Sequence, residues 1–357
     1  MNVQTKSSDY ERLSPSTEIG GELSWHYCAT NSARLAARLD KSGRISLFGE
    51  AGAFRAEANL NFDQQTITLR DVRLDPLHSD ATVLLAALLD AVFLRFPDIP
   101  SLALPPVSEL PQVNALALRE AEGLSIVDRN VLRQLPLLWR KQAAHMPYPN
   151  IRSALGPTDR LPLLRPPRPS GVFYERWIPE LNKTVSFRPI DRRTDMDLFY
   201  GWMNQGRVSF FWELAQSPEA LETYLLDQER DPHIFGVIAN FDNEPTGYFE
   251  FYWAREDRLG PHYESEDFDR GWHGLIGNPR HLGRPKTLAL FRSVTHYLFL
   301  DEPRTQRIVG EPRASHQKML SYCADVAYDK VKEFDFPHKR AALVCCERDR
   351  FFKEVPL

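Results

Sequence analysis

A short proline-rich segment constrains how this chain of 357 residues can fold. Residues 160–171, with the sequence RLPLLRPPRPSG, contain four prolines. Each proline fixes φ and removes a backbone donor, so neither a helix nor a central strand can continue through this segment. The chain length also suggests two domains, at roughly 100–200 residues each. We therefore predict an N-terminal domain over 1–159, a connector over 160–171 and a C-terminal domain over 172–357.

The charge and hydropathy of the chain narrow the classes of partner. The net charge is −4 at pH 7, whereas a broad nucleic-acid surface requires a basic excess, so we expect no nucleic-acid partner. The longest apolar stretch, residues 81–96, contains Asp90 and Arg95. It is too short and too charged to span a bilayer, and we interpret it as a buried helix. Residues 1–18 lack the apolar core of a signal peptide.

The cysteines form neither a metal-binding pattern nor a disulfide pattern. Cys28 and Cys323 are isolated, and Cys345 and Cys346 are adjacent, without a CxxC spacing. We therefore expect no tetrahedral metal site and no disulfide framework. Because reduced thiols are typical of the cytoplasm, we predict a cytoplasmic protein without a metal cofactor.

The second half of the chain shows a regular alternation of strand and helix patterns. The predicted order is β-α-α-β-β-β-α-β-α-β-β, a mixed α/β fold. The elements are a strand at Thr184–Arg188, helices at Asp195–Met203 and Pro218–Gln228, strands at His233–Asn240, Thr246–Ala254 and Gly271–Gly277, a helix at Pro285–Leu300, a strand at Gln306–Glu311, a helix at Ser315–Ala324, and strands at Tyr328–Phe336 and Arg340–Glu347.

The first half predicts a smaller α+β domain. Its order is hairpin, helix, strand and helix, which repeats the order in the second part of the C-terminal half. The elements are strands at Ala53–Leu60 and Gln65–Val72, a helix at Ala81–Arg95 that starts at Ser79-Asp80, a strand at Ser101–Leu104, and a helix at Val113–Glu122 closed by Gly123.

A basic loop, residues 278–287 (NPRHLGRPKT), lies between a predicted strand and the long helix. Free backbone N–H groups and the helix dipole favour an anion at such a position. The predicted ligand is a pyrophosphate, and the alternative is a solvated loop that only caps the helix. The candidate binding residues are Arg280, Gly283, Arg284, Lys286 and Thr287.

A histidine lies on the strand before this loop, in the sequence DRGWHGLIG of residues 269–277. His273 could orient or deprotonate a nucleophile. The alternative is a structural histidine with satisfied hydrogen bonds in the core.

Polar side chains on an aromatic strand form a second candidate group. In residues 248–257 (YFEFYWARED), alternation places Tyr248, Glu250 and Tyr252 on one face of the strand. Such a face could hold a polar substrate, or it could simply face solvent. The candidate substrate-binding residues here and on the next strand are Glu250, Tyr252, Trp253, Asp257 and Asp269.

A charged turn, Glu311-Pro-Arg313, follows a predicted strand. Glu311 and Arg313 are candidates for recognising a charged substrate, because strand ends of such sheets face the ligand crevice. The alternative is a capping turn, with Ser315 as the N-cap of the next helix.

Taken together, seven blocks resemble the siderophore-biosynthesis N-acyltransferases of the GNAT superfamily, and within them the branch that acetylates N6-hydroxylysine for aerobactin. Residues 165–169 (RPPRP) and 134–137 (QLPL) are also similar to that branch. The blocks are 201–204 (GWMN), 211–213 (FWE), 248–257 (YFEFYWARED), 268–273 (FDRGWH), 295–307 (THYLFLDEPRTQR), 311–313 (EPR) and 332–340 (KEFDFPHKR).

The resemblance implies a GNAT fold in the C-terminal domain, and the repeated order of elements suggests that the N-terminal domain is a degenerate copy of it. It also implies transfer of an acetyl group from acetyl-CoA to the hydroxylamine nitrogen of N6-hydroxylysine, to form a hydroxamate. We expect the nitrogen to attack the thioester directly, because a hydroxylamine is largely uncharged at neutral pH. His273 is then the catalytic base and Glu311 its acidic partner, with Glu250 as a substitute. Arg313 stands where many relatives have Asp, and it is a candidate for binding the α-carboxylate of the acceptor. Tyr322 is the candidate that protonates the CoA thiolate.

Other functions remain open on the sequence. A succinyl donor, or an acceptor such as N-hydroxyputrescine or N-hydroxycadaverine, fits the same family, because a few atoms in a pocket decide such a choice. A GNAT enzyme with an unrelated amine substrate and a non-catalytic binding module are further alternatives. The oligomeric state is open as well, a homo-oligomer included.

Overall fold

The chain forms two compact units, one that extends to Leu132 and one that runs from Arg133 to Leu357. The sequence predictions also used residues 1–18 and 160–161 and the positions Cys28, Gln65 and Ser79, all of which lie outside the described residues. The computed structural model describes residues 22–26, 34–63, 66–78, 80–141, 148–152 and 162–357.

The first unit contains an eight-stranded sheet. Its strands are β1 (Glu22–His26), β2 (Arg34–Leu39), β3 (Arg44–Phe48), β4 (Phe54–Asp63), β5 (Thr66–Leu74), β6 (Ser101–Leu104), β7 (Arg119–Ala121) and β8 (Leu124–Asp128), and its helices are α1 (Ala81–Arg95) and α2 (Arg129–Leu132). The strand order is β1-β2-β3-β4-β5-β6-β8-β7, and β5 and β6 are parallel.

Helix α1 supplies much of the core of this unit. Residues 83–93 are all buried, as expected for the apolar stretch that the sequence predicts to be a helix. Its first turn is closed by Asp80, whose side chain accepts hydrogen bonds from the backbone N–H groups of Thr82 (3.0 Å) and Val83 (3.1 Å).

The predicted helix at Val113–Glu122 is wrong. The structure has a 3-10 helix at Pro111–Ala115, followed by the β7–β8 hairpin. Glu122 and Gly123 have φ angles of 52° and 76°, and two consecutive residues with positive φ form the tight turn that joins hairpin strands. The glycine that was interpreted as a helix end is therefore half of a hairpin turn.

The second unit also contains an eight-stranded sheet. Its strands are β9 (Tyr174–Ile178), β10 (Lys183–Pro189), β11 (Ile234–Phe241), β12 (Glu244–Trp253), β13 (Arg270–Ile276), β14 (Arg307–Gly310), β15 (Tyr328–Asp335) and β16 (Arg340–Glu347). Its helices are α3 (Met196–Met203), α4 (Gly206–Trp212), α5 (Pro218–Arg230), α6 (Arg284–Asp301), α7 (Gln317–Ala324) and α8 (Arg348–Glu354). The strand order is β9-β10-β11-β12-β13-β14-β16-β15.

The predicted order of elements in this unit is confirmed, with β9, α4 and α8 as additions. Ser315 does not cap α7: the helix begins at Gln317 after His316, and among the described residues no side chain caps it. Each sheet contains a parallel pair, β5–β6 or β13–β14, whose strands are joined by a long helix. The two sheets thus share one strand order, and a degenerate-copy origin of the first unit remains a proposal.

The proline-rich segment does not separate the two units. The units divide at Leu132, and residues 162–171 group with the second unit. Apart from a bridge at Leu163, this segment has no regular secondary structure, as its prolines predict. Within the described part of the chain, we find no helix that is long and apolar enough to cross a membrane.

Candidate active site

A cleft opens where the parallel strands β13 and β14 separate. Among the described residues the two strands pair only at Arg270 with Ile308 and at Gly271 with Val309. The backbone N–H of Gly277 donates to the carbonyl of Thr246 (2.9 Å). Because backbone direction alternates along a strand, the N–H and C=O groups of odd-numbered β13 residues point to β12. The N–H and C=O groups of even-numbered residues point into the cleft.

The cleft is continuous with a cavity of about 730 Å³. Its walls come from α4, α5, β12, β13, α7 and the turn after β14. The lining includes Arg207, Phe211, Trp212, Tyr224, His233, Glu250, Glu256, Asp257, Arg258, His273, Gly274, Ile276, Glu311, Arg313, His316, Met319, Cys323 and Lys339. A cavity of this size is typical of a small-molecule site, and its walls combine aromatic and apolar side chains with many charged ones.

His273 lies between two carboxylates in this cavity. Its Nδ1 is 3.0 Å from Glu250 Oε2, and its Nε2 is 3.0 Å from Glu311 Oε1. The imidazole is 20% exposed, whereas the side chains of Glu250 and Glu311 are only 4% and 1% exposed. The structure thus brings together His273 and both acidic candidates that the sequence singled out, here called the Glu–His–Glu cluster.

The environment of Glu250 keeps it ionised. Its Oε1 accepts hydrogen bonds from Tyr224, from Tyr248 (3.0 Å) and from the Gln228 amide (3.0 Å). Burial alone would raise the pKa of Glu250, but the hydrogen bond and the charge of His273 lower it below its usual value. The predicted alternative of a solvent-facing strand is wrong, because Tyr248, Glu250 and Tyr252 are all buried.

Glu311 is held by cations as well as by His273. Its Oε1 accepts from Arg258 (3.0 Å) and lies 3.5 Å from Lys339 Nζ. Burial alone would raise the pKa of Glu311, but the charges of His273, Lys339 and Arg258 hold it well below its usual range.

Tyr252 binds the second carboxylate oxygen of Glu311, and Gly271 leaves room for the Tyr252 ring. The Tyr252 hydroxyl donates to Glu311 Oε2 at 3.1 Å. The Tyr252 ring occupies the space that a side chain at position 271 would fill, so an added methyl group there would overlap the ring. Glycine at 271 is therefore required by close packing under the aromatic ring, whatever its backbone angles.

His273 is an imidazolium in this arrangement. Burial alone would lower its pKa, but the charge of Glu311 and the hydrogen bonds to Glu250 and Glu311 outweigh burial and raise the pKa to about 10. Because both ring nitrogens donate to carboxylates, the free protein does not present His273 as a neutral base.

The other predicted substrate residues divide into two groups. Asp257 and Arg313 line the cavity, and Arg313 pairs with Glu213. Trp253 and Asp269 are not among the described lining residues. Trp253 is stacked between two arginine side chains, and Asp269 accepts hydrogen bonds from Tyr263 and Arg307.

Tyr322 also lies off the described lining of the cavity. On α7 the residues that face the cavity are Met319 and Cys323, which are four apart and share one face of the helix. Tyr322 points elsewhere and packs against Phe291 (6.1 Å between ring centroids) and Arg284. Its assignment as the thiolate acid stays a prediction that its position does not support.

The basic loop before α6 has the features that a pyrophosphate requires. No side chain among the described residues caps the helix, and Gly283, with φ of 125°, precedes it. The side chains of Arg280 and Arg284 are 78% and 51% exposed and pair with Glu244 and Asp325. Lys286 donates to the Arg280 carbonyl (2.8 Å). These residues fit an anion at the helix N-terminus.

Thr287 has a different place in this loop. Its hydroxyl donates to the Gly283 carbonyl at 2.9 Å, and the residue is buried. It stabilises the first turn of α6, and a direct contact with the ligand stays a prediction.

Several residues around the Glu–His–Glu cluster were missed by sequence reasoning. Tyr224, Gln228, Arg258 and Lys339 surround the two carboxylates. Arg258 directly follows the aromatic strand block, and Lys339 lies in block 332–340, so a position in or beside the blocks that carry the resemblance was the available signal. Nothing in the sequence singled out Tyr224 and Gln228, because the residues of α5 have the pattern of an ordinary amphipathic helix.

Comparison with known proteins agrees with this geometry. Residues 191–336 match the family described as "Acetyltransferase (GNAT) domain". The N(6)-hydroxylysine O-acetyltransferase of Escherichia coli is 39% identical over 274 residues, which cover 75% of this chain and 85% of that protein. A putative lysine N-acyltransferase of Schizosaccharomyces pombe is 39% identical over 239 residues, 65% of this chain and 69% of that protein.

A hydroxyornithine transacylase of Ajellomyces capsulatus is 41% identical over 196 residues, 54% of this chain and 45% of that protein. The chain thus spans less than half of this fungal relative, but most of the bacterial one. The chain belongs to the GNAT acyltransferase family that the bacterial enzyme represents. It is an acyltransferase that takes its acyl group from acetyl-CoA, so the predicted family, fold and donor are confirmed.

Proposed function

We propose that this enzyme transfers the acetyl group of acetyl-CoA to the hydroxylamine nitrogen of N6-hydroxylysine and so forms a hydroxamate for a siderophore of the aerobactin type. The observation that carries the proposal is the Glu–His–Glu cluster at the cavity beside the β13–β14 cleft. The acceptor is proposed on the similarity to the N(6)-hydroxylysine enzyme of Escherichia coli and the hydroxyornithine transacylase.

The chemistry of a hydroxylamine suits a site without a neutral base. A hydroxylamine nitrogen is much less basic than an alkylamine, so it is largely uncharged at neutral pH and can attack the thioester directly. The main tasks of the site are to position the nitrogen and to stabilise the oxyanion. The backbone N–H of Gly274, which the strand alternation turns into the cleft, is the proposed oxyanion donor.

The proton balance involves the Glu–His–Glu cluster as a whole. As the N–C bond forms and the C–S bond breaks, the nitrogen loses its proton to the cluster. The cluster returns one proton to the CoA sulfur, so its charge is the same at the beginning and the end of the reaction. Three groups this close titrate together, and one proton cannot be assigned to one residue.

Charged side chains on the cavity wall fit an amino-acid acceptor. Arg313 offers a cation for the α-carboxylate, and Asp257 offers an anion for the α-ammonium group. A hydroxylated diamine has no carboxylate, so it would leave Arg313 with Glu213 as its partner. The charges therefore favour N6-hydroxylysine over N-hydroxycadaverine.

We place the reaction in the cytoplasm. Cys323, Cys345 and Cys346 are free thiols, as expected for a reducing compartment. Fractionation of the producing cells, with the enzyme detected by antibody, would test this placement.

The test is a CoA-release assay with the purified protein, acetyl-CoA and N6-hydroxylysine. Lysine, N-hydroxycadaverine and succinyl-CoA are tested in parallel, and product is mixed with ferric iron. We expect rapid release with N6-hydroxylysine, little with lysine, and the colour of a ferric hydroxamate. An O-acetyl product would release CoA without that colour, since its hydroxylamine oxygen is blocked. Absence of turnover with every hydroxylamine would overturn the proposed acceptor class.

A further inference from the structure

The proline-rich segment contains two arginines whose side chains are bound by other parts of the second unit. In Arg165-Pro-Pro-Arg168, the side chain of Arg165 is only 2% exposed. Its Nη2 lies 2.7 and 2.8 Å from the two carboxylate oxygens of Glu256 and 2.8 Å from the carbonyl of Asp267. Its guanidinium also stacks on Trp253, at 4.0 Å from the ring centroid. Arg165 thereby fixes the turn that follows β12.

Arg168 fixes a different segment, the connection between α5 and β11. Its Nη2 lies within hydrogen-bonding distance of three carbonyls, those of Gln228, Asp231 (2.7 Å) and Ile234 (2.9 Å). A guanidinium is suited to such a role because it presents several donors in a rigid plane. One side chain thus holds the end of α5 and the start of β11 together.

The two fixed segments supply side chains to one end of the cavity. The first provides Glu256 and Asp257, and the second provides His233. His233 Nδ1 is 2.5 Å from Asp231 Oδ1, and its Nε2 is 3.7 Å from Asp257 Oδ2. These contacts join the two segments across the cavity wall.

Prolines 166 and 167 explain why two arginines can act together. Each fixes φ near −65°, and each disfavours the helical region for the residue before it. In the extended conformation that results, three residues make about one turn, so side chains three positions apart project from the same side. Arg165 and Arg168 have this spacing, and little backbone conformational entropy is lost when both are bound.

We propose that the Arg165–Arg168 segment is a positioning element for the acceptor: it holds His233, Glu256 and Asp257 in place and thereby sets the affinity and selectivity for the acceptor. It takes part neither in CoA binding nor in proton transfer. This inference rests on the proposed function, because it assumes that the acceptor occupies this end of the cavity.

The test compares Arg168→Met with a matched control, Arg348→Met. Methionine keeps much of the apolar stem and removes the donors. Arg348 likewise bonds several carbonyls, those of Thr305, Phe299 and Glu302, but it is not among the described cavity residues. We expect Arg168→Met to raise the KM for the acceptor by about tenfold or more, as loss of hydrogen bonds from a charged group does.

In the same variant, KM for acetyl-CoA should change by less than about threefold, because the helix terminus is untouched. The effect on kcat should be smaller than the effect on the acceptor KM, because Arg168 acts on the Glu–His–Glu cluster only indirectly, through the backbone of Gln228. Arg348→Met should lower Tm and leave the KM for the acceptor unchanged. An unchanged acceptor KM in Arg168→Met, or an equal rise of KM for both substrates, would overturn the proposal.

A second measurement separates this inference from the proposed function. Hydrogen–deuterium exchange of the full chain needs no substrate and reports local opening. Arg168→Met should increase exchange in residues 228–236, and Arg165→Met in residues 254–258, with α6 unchanged in both. If the wild-type enzyme acylates no hydroxylamine, the proposed acceptor class fails. If exchange in these segments does not change, the positioning element fails.

Discussion

The two sheets share one strand order, yet they differ at every position that the active site uses. The two sheets can be aligned by the residue pairing of corresponding strands. In this alignment, the positions of Glu250, His273 and Glu311 in the second unit are occupied in the first unit by Asn59, Arg70 and Pro105. Asn59 is half-buried and Arg70 is exposed, so no buried acid–imidazole cluster can form there. The comparison teaches that one topology can be kept with or without the Glu–His–Glu cluster, because three side chains decide whether that cluster is present.

The helices that follow these hairpins differ in the same way. Asp80 occupies the N–H groups at the start of α1, and the preceding residues 75–78 (DPLH) carry no arginine or lysine. At the start of α6 no described side chain takes that place, and two arginines and a lysine are adjacent. An aspartate at a helix N-terminus satisfies the same groups that would otherwise bind an anion. The first unit therefore has a stabilised helix start where the second has the proposed anion site.

The largest expected effect tests whether His273 makes the difference between the sheets. His273→Ala should lower kcat by roughly 10²–10⁴-fold, the range for a general acid–base group, with acetyl-CoA affinity unchanged. Arg70→Ala, at the matching position of the first unit, should leave kcat within about twofold. Steady-state kinetics and titration with CoA provide both numbers. A loss below tenfold in a folded His273→Ala protein would contradict the role of the cluster.

A second prediction concerns charge within the cluster. Glu311→Gln removes the charge that contributes most to raising the pKa of His273, so the pKa should fall toward its ordinary value of 6.5. In the wild type, the stabilisation from charged His273 is fully present below pH 6.5 and is lost as the pH rises through about 10. Urea unfolding at pH 6.5 and 10 should therefore show a smaller loss of stability in the variant. Equal pH dependence in both proteins would show that Glu311 does not hold the imidazolium.

A third, smaller effect tests the helix terminus. The double variant Arg284→Ala/Lys286→Ala should raise KM for acetyl-CoA by about tenfold, since each cation contributes roughly 0.3–1 kcal/mol or more at such a site, and the acceptor KM should not change. Arg95→Ala, in the last turn of α1, is the matched control and should change neither KM. A rise in the KM for the acceptor alone would show that the pyrophosphate of acetyl-CoA binds elsewhere.

The smallest expected effect lies in the first unit. Asp80→Ala removes the N-cap of α1 and should lower the free energy of unfolding by about 1 kcal/mol. Both KM values should stay the same, because the part of the first unit that the structure describes has no acid–imidazole cluster matching that of the second unit. Chemical denaturation and kinetics on one preparation measure both. If acetyl-CoA affinity changes, α1 is more than a structural helix.

The sequence allowed the long elements to be predicted and part of the site with them. Helices such as α1 and α6, with capped or basic first turns and long apolar faces, were found within a residue or two. The hairpin at Glu122–Gly123 was missed because a glycine after apolar residues marks a helix end as well as a hairpin turn. His273, Glu250 and Glu311 were named because they lie at the centre of the blocks and at a strand end.

The remaining site residues depend on long-range packing. Tyr224 and Gln228 reach Glu250 only because α5 packs on the sheet, and their spacing in the sequence does not reveal it. Arg165 and Arg168 carried a strong local signal, the prolines around them, but that signal describes stiffness and says nothing of their partners. The sequence indicates where a segment is rigid, and only the fold shows what it holds.

The glycine beneath the Tyr252 ring has a consequence for how the enzyme can evolve. Any residue larger than glycine at 271 requires a smaller residue at 252, and a smaller residue there removes the hydroxyl that contacts Glu311. Neither position can drift alone without a loss of activity, so the two are expected to show strong epistasis. In a library that randomises both codons, active clones should retain the glycine–tyrosine combination far more often than the frequencies of either residue alone would give.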